Sequence, residues 1–196
     1  PNHYGGFEQL AEHLSAGLVQ KGHRVTVYNS HNHPNQAACW KNVTIVHRFD
    51  PEYLMGTGGQ FLYDFNCIRH ARKQHFDVWL LLGYTSSSAW GWLYPKKTVC
   101  ISNMDGLEWK REKYGPVSRR FLLFAERLAV RFSHFFIADS PVIQSYLAKK
   151  YGIDPEYIEY GAEIPATENN NILNKLELLP DDYLLLIARM EPENNI

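Results

Sequence analysis

Apolar residues recur along this chain with two periods, and the periods alternate. Phe7, Leu10, Ala11, Leu14 and Leu18 fall at helical spacing, which predicts a helix over residues 7–21. Gly22 stands where a left-handed residue closes such a helix. Residues 24–29 then read as a strand, and Val43 to His47 as another after a polar loop. Phe61, Phe65, Ile68 and Ala71 mark one face of a second helix. Val78 to Leu82 is an unbroken apolar run ending at Gly83, the pattern of a parallel strand buried on both faces. A short helix over 86–92 and a strand over 98–102 follow. Pro116 suits a first helical position, and Phe121, Phe124, Leu128 and Phe132 are expected to line that helix. A strand is predicted over 134–138. Asp139-Ser140-Pro141 carries the cap and proline of a helix start, and Gly152 its end. Tyr157 to Tyr160 reads as a short strand.

Alternating strands and helices predict an α/β fold: a parallel sheet with helices on both faces. Ligands of such sheets bind beyond the carboxyl ends of the strands. The loops to inspect are therefore 30–42, 83–88, 103–111, 139–141 and 160–164. Residues 1–162 read as one domain whose first strand is expected upstream of residue 1. Residues 163–182 read as a linker, and 183–196 as the start of a second domain opening with a strand at Tyr183 to Ala188.

Composition narrows the function classes. Hydrophobic residues make up 45% of the 196 positions and charged residues 21%, a globular balance. A net charge of −1 argues against a nucleic-acid surface. No apolar run approaches the roughly 18 residues needed to span a bilayer. The scattered Cys39, Cys67 and Cys100 suggest buried thiols in a reducing compartment, and hence a cytoplasmic protein. No spacing matches a zinc site; His31 and His33 lack a third ligand nearby, so no metal is expected. Aromatics stand at 14%, which core packing explains, with a sugar- or membrane-facing surface as the alternative.

Several residues could carry chemistry. Gly5-Gly6 enters a helix, so it can bring free backbone N–H groups close to a phosphate, or simply form a tight turn. Asp105 and Glu108 could orient acceptor hydroxyls or act as a base, or could form a capping box, being three apart. Trp109, Lys110 and Arg111 form a basic-aromatic cluster suited to a sugar ring and a phosphate, or the solvated start of an amphipathic helix. Tyr84, after the Gly83 turn, has the same two readings.

Four segments, in order, resemble the family 4 glycosyltransferases of the GT-B fold. Tyr4-Gly5-Gly6-Phe7-Glu8 with Gly22-His23-Arg24-Val25-Thr26-Val27 is similar to the family's glycine loop, helix and strand. Asn103-Met104-Asp105-Gly106-Leu107-Glu108-Trp109-Lys110-Arg111 is similar to a segment of its rhamnosyltransferase-like branch. Ala138-Asp139-Ser140 through Tyr151-Gly152 resembles a third family segment, and Ala188-Arg189-Met190-Glu191-Pro192-Glu193 the one that opens the donor domain.

The resemblance implies two Rossmann-like domains across a cleft, with this chain mainly the acceptor side and donor binding completed by a C-terminal domain. It implies a retaining, metal-independent transfer with no cofactor beyond a nucleotide diphosphate sugar, made to a glycan or lipid-linked acceptor in the cytoplasm at the inner face of the membrane. By position, Gly5, Gly6 and Arg189 would bind donor phosphates. Tyr4, Tyr84, Trp109, Lys110 and Arg111 would face the acceptor, and Asn103, Asp105 and Glu108 would do the catalytic work. Many family members carry a histidine just before the aspartate; here Met104 stands there, and Asn103 is the candidate for its role. Asn194 and Asn195 replace a second cation near the donor phosphates. A GT-B epimerase and a non-catalytic binding domain are the competing readings. A dinucleotide oxidoreductase is disfavoured, because Gly5-Gly6 lacks the G-x-G-x-x-G spacing.

Overall fold

The computed structural model describes residues 5–111, 114–162, 171–179 and 181–187. Helix α1 (Gly6–Gln20) leads into β1 (Thr26–Ser30). Its end is a Schellman turn: Gly22 sits at φ 88°, with the His23 N–H on the Leu18 carbonyl and the Gly22 N–H on that of Val19. The short β2 (Cys39–Trp40) runs antiparallel to β3 (Val43–Arg48), which pairs in parallel with β1. Helices α2 (Glu52–Met55) and α3 (Gly59–Ala71) follow. A second sheet, parallel throughout, is ordered β4 (Val78–Leu82), β5 (Val99–Asn103), β6 (Phe135–Ala138), β7 (Glu156–Tyr157). Helices α4 (Pro116–Phe132) and α5 (Pro141–Tyr151) connect its later strands. This is the predicted α/β, Rossmann-like arrangement of parallel strands flanked by helices.

The core lies on one face of the four-stranded sheet. Trp79 and Cys100, partners in register, pack under Ile68 and Ala71 of α3. Phe136 and Ala138 pack with Ala125, Ala129, Ile143 and Leu147 of α4 and α5. The other face, reached by the alternate residues of each strand, is only partly covered: Val78 and Phe135 remain exposed. Among the described residues β1 and β4 each pair with one strand, so each sheet ends there on a parallel strand.

Three expectations differ from the structure. The buried stripe of α4 is Leu122, Ala125, Glu126 and Ala129, whereas Phe121 and Phe124 are exposed. The stripe is offset because it includes a glutamate, which period-based reading assigns to solvent. The expected strand at 183–188 is absent among its described residues, 183–187, which form no ladder and are exposed. An apolar run with no partner strand has no hydrogen bonds to make it a strand. Residues 171–175, expected in the linker, form the short helix α6 (Asn171–Lys175).

Candidate functional site

Because β4 to β7 are parallel, the loops that follow them rise from one edge. Asn103 is the last residue of β5 and is only 3% exposed. Its amide Nδ2 donates to the Tyr160 hydroxyl at 3.4 Å, while its Oδ1 is buried with no partner. Met104, at the place of the family histidine, is buried in the core cluster, and its N–H donates to the Ile137 carbonyl. That position is therefore structural here, with Asn103 and Asp105 on either side of it in sequence.

Asp105 meets Asp139 carboxyl to carboxyl. Asp139 follows β6 directly and is spared helix-capping duty, because the Ser140 hydroxyl accepts the Ile143 N–H at 3.3 Å. One Asp139 oxygen, Oδ1, is buried and unpartnered. Burial pushes Asp105 up to about 6, helped by the hydrogen bond and charge of Asp139 and the charge of Glu108, against the pull of Arg111. The Tyr160 phenol is also pushed up, by burial first and then by Asp105. Asn103, Asp105, Asp139 and Tyr160 thus form one polar group with acceptor capacity to spare. Such a group favours ligands that bring hydrogen-bond donors, as sugar hydroxyls do.

The predicted capping box does not form. The 3-10 turn Glu108–Lys110 has no side-chain cap. Glu108 instead accepts from Arg111 Nη1 at 3.2 Å and from the Tyr114 hydroxyl at 3.4 Å. Trp109 lies with its ring 6.1 Å from that of Tyr146, and Lys110 and Lys150 place their ammonium groups 5.4 Å and 5.6 Å from its centre. Its indole is held against α5. Lys110 is exposed beside it. Tyr84, expected at the acceptor, is 2% exposed and packs in the core beside Met104. A ring so covered meets no acceptor unless that packing opens.

The glycine loop reaches the same edge. A Cβ on Gly83, just past β4, would lie 3.3 Å from the Phe7 ring, so the first turn of α1 is seated at the end of β4. Gly5 caps α1 at φ 89°, ψ 165°, a conformation nearly restricted to glycine, with no side-chain cap and open space around it. The first N–H groups of α1 therefore have no capping side chain. Gly6 begins the helix itself. Tyr4 and Arg189 lie outside the described residues.

Sequence reasoning missed Asp139 and Tyr160 as site residues. Asp139 was legible only as part of a helix start, and Tyr160 only as a strand residue. It also passed over Asp64 of α3, which accepts the Ser86 hydroxyl at 2.5 Å beyond β4 and is pushed up to about 6, chiefly by burial. Among the described residues no three His, Cys, Asp or Glu side chains are gathered as a metal site. No described helix is long and apolar enough to cross a membrane.

Parallel strands flanked by helices, with polar side chains and a helix N-terminus at their carboxyl edge, define an α/β protein whose candidate site lies at that edge. Residues 4–160 match the family model of Glycosyltransferase Family 4, and the chain belongs to that family. Its class is glycosyltransferase. No curated protein matches the chain significantly.

Proposed function

We propose that this glycosyltransferase moves a hexosyl or deoxyhexosyl unit, specifically rhamnose, from a nucleotide diphosphate sugar. The acceptor is a glycan or lipid-linked sugar of bacterial surface polysaccharide synthesis, met at the cytoplasmic face of the membrane. The reading is supported most by one observation. The segment Asp105 to Arg111, similar to the rhamnosyltransferase-like branch, leaves β5 at the ligand edge, where Asp105 joins Asn103, Asp139 and Tyr160.

In the transfer, the bond from the anomeric carbon to the diphosphate oxygen breaks and a bond to the acceptor hydroxyl oxygen forms. The hydroxyl proton leaves with the departing diphosphate or to a nearby base. Asp105, ionised above about pH 6, holds the acceptor hydroxyl. Asn103 and Asp139 fix Tyr160 and Asp105 from beneath. Gly5 and Gly6 offer backbone N–H groups to the diphosphate, and Arg189 supplies a two-pronged cation. Lys110 lies toward any phosphate on the acceptor. The configuration is retained, and no metal or cofactor takes part.

The test is a donor-hydrolysis screen of the full-length protein against nucleotide sugars. Thymidine-diphosphate rhamnose is the expected substrate. Arg189→Ala should reduce its turnover at least tenfold, and EDTA should leave the rate unchanged. No turnover of any nucleotide sugar rejects the reading; turnover of a different donor replaces only the rhamnose. Equal activity in Arg189→Ala removes that residue from the mechanism.

A further inference from the structure

Helix α4 carries two faces of opposite character. One is the buried stripe around Ala125 and Glu126. The other carries Val117, Arg120, Phe121, Phe124, Arg127 and Arg131, which fall on one side of a helix with 3.6 residues per turn. Val117 is 80% exposed and Phe124 54%, and all three arginines are exposed as well. The one acid of this helix, Glu126, faces inward. The outward face is therefore apolar and cationic, with no negative charge of its own, along roughly 25 Å of helix.

The apolar surface continues beyond α4. The Phe121 ring lies 5.5 Å from that of Phe61 on α3. Leu62, next to it, is exposed, as are Leu54 and Met55 on the adjoining α2. At its N-terminal end α4 is tied to the candidate site: Arg119 Nη2 donates to the Arg111 carbonyl at 3.4 Å. A surface resting against this face would therefore lie beside the acceptor loop.

We infer that the outer face of α4, with the exposed residues of α2 and α3, docks on an anionic lipid surface. Helices lying in a membrane interface bury a stripe of aromatic and aliphatic side chains. Their arginines extend apolar stems alongside and carry the charge up to the head groups. Charge complementarity selects the occupant: three arginines with no acid between them suit a negatively charged bilayer. The inference rests on exposure and charge alone, and holds whichever sugar is transferred.

The experiment is cosedimentation of the full-length protein with vesicles of phosphatidylcholine, pure or containing 30% phosphatidylglycerol. Binding is expected to the mixed vesicles and to weaken as salt is raised through 0.5 M. The double variant Val117→Ser/Phe124→Ser should bind at least tenfold more weakly. Both positions are exposed, so its melting temperature should match the parent. Arg120→Gln/Arg127→Gln should lose about fivefold per arginine, and only on the anionic vesicles. Absence of binding to mixed vesicles overturns the proposal, as does binding that neither variant weakens. So does a parent dimer in light scattering that Val117→Ser/Phe124→Ser turns into a monomer without vesicle binding; a second copy would then cover the face. Binding requires no donor sugar, so failure of the transferase assignment leaves this test readable.

Discussion

Two carboxylate sites, one beside the start of α5 and one against its last turns, show how buried acid is handled when it serves stability and when it does not. Glu126 is 1% exposed, yet it accepts from Lys150 Nζ at 2.7 Å, the Tyr146 hydroxyl at 2.9 Å and the Tyr151 hydroxyl at 2.5 Å. Burial alone would lower Lys150, but hydrogen bonds to Glu126 and the two tyrosines outweigh it and hold the ammonium charge. Asp105 and Asp139 stand the other way. They face each other, Arg111 pulls against the rise at Asp105, and Asn103 and Asp139 each keep a buried oxygen unpaired. One cluster is closed by its own side chains. The other is left incomplete, and an incomplete polar group beside a ligand edge is where a substrate does useful work.

The largest expected effect breaks the closed cluster. Glu126→Ala leaves two half-buried phenols without their acceptor and the exposed Lys150 without its ion pair, and should cost about 2–3 kcal/mol in a denaturant melt. If its loss stays below 1 kcal/mol, the cluster is not structural. The open cluster should respond inversely. Asp139→Asn should lower transferase turnover about a hundredfold, within the usual range for positioned acid-base groups, while leaving the melting temperature unchanged or higher. A fall in stability without loss of turnover would reverse the contrast.

pH sharpens it further. Asp105 holds its proton to about pH 6 in the fold, against about 3.9 in an open chain. Between those values the folded state binds more protons, so this group's contribution to stability falls as pH rises from about 4 to 6. Asp64 acts with the same sign over the same window. Asp105→Asn should flatten part of that slope in melts taken across the range, and Asp64→Asn another part. The smallest effect belongs to Lys110→Ala, which removes an exposed cation near Trp109 and should change stability by about 0.5–1 kcal/mol. A larger loss would mean Lys110 supports the loop itself.

The elements were largely legible in the sequence, because their signals are local. Ser140-Pro141 and Gly152 delimit α5 as predicted, with Gly152 in the left-handed region. The run Val78–Leu82 is β4 to the residue. Of the candidate site, Asp105 and Glu108 could be picked from their loop and the glycine pair from its place before a helix, whereas Asn103 came from the family resemblance. The partnership of Asp105 with Asp139 could not, since no periodicity links loops that follow two different strands. The stripe on α4 was misplaced for a related reason. Glu126 belongs to the interior only because three donors on α5 are aimed at it, and those donors lie 20 to 25 residues away.

The free margins of β1 and β4 have a practical meaning at the bench. Among the described residues each presents a row of amides and carbonyls with no paired neighbour on one side, and β4 is apolar throughout. A row of this kind is a template for a further strand, so the protein in isolation is expected to pair there with a second copy. Its solubility and its apparent size will then report on sheet margins rather than on catalysis, and a broad elution profile would be a statement about pairing.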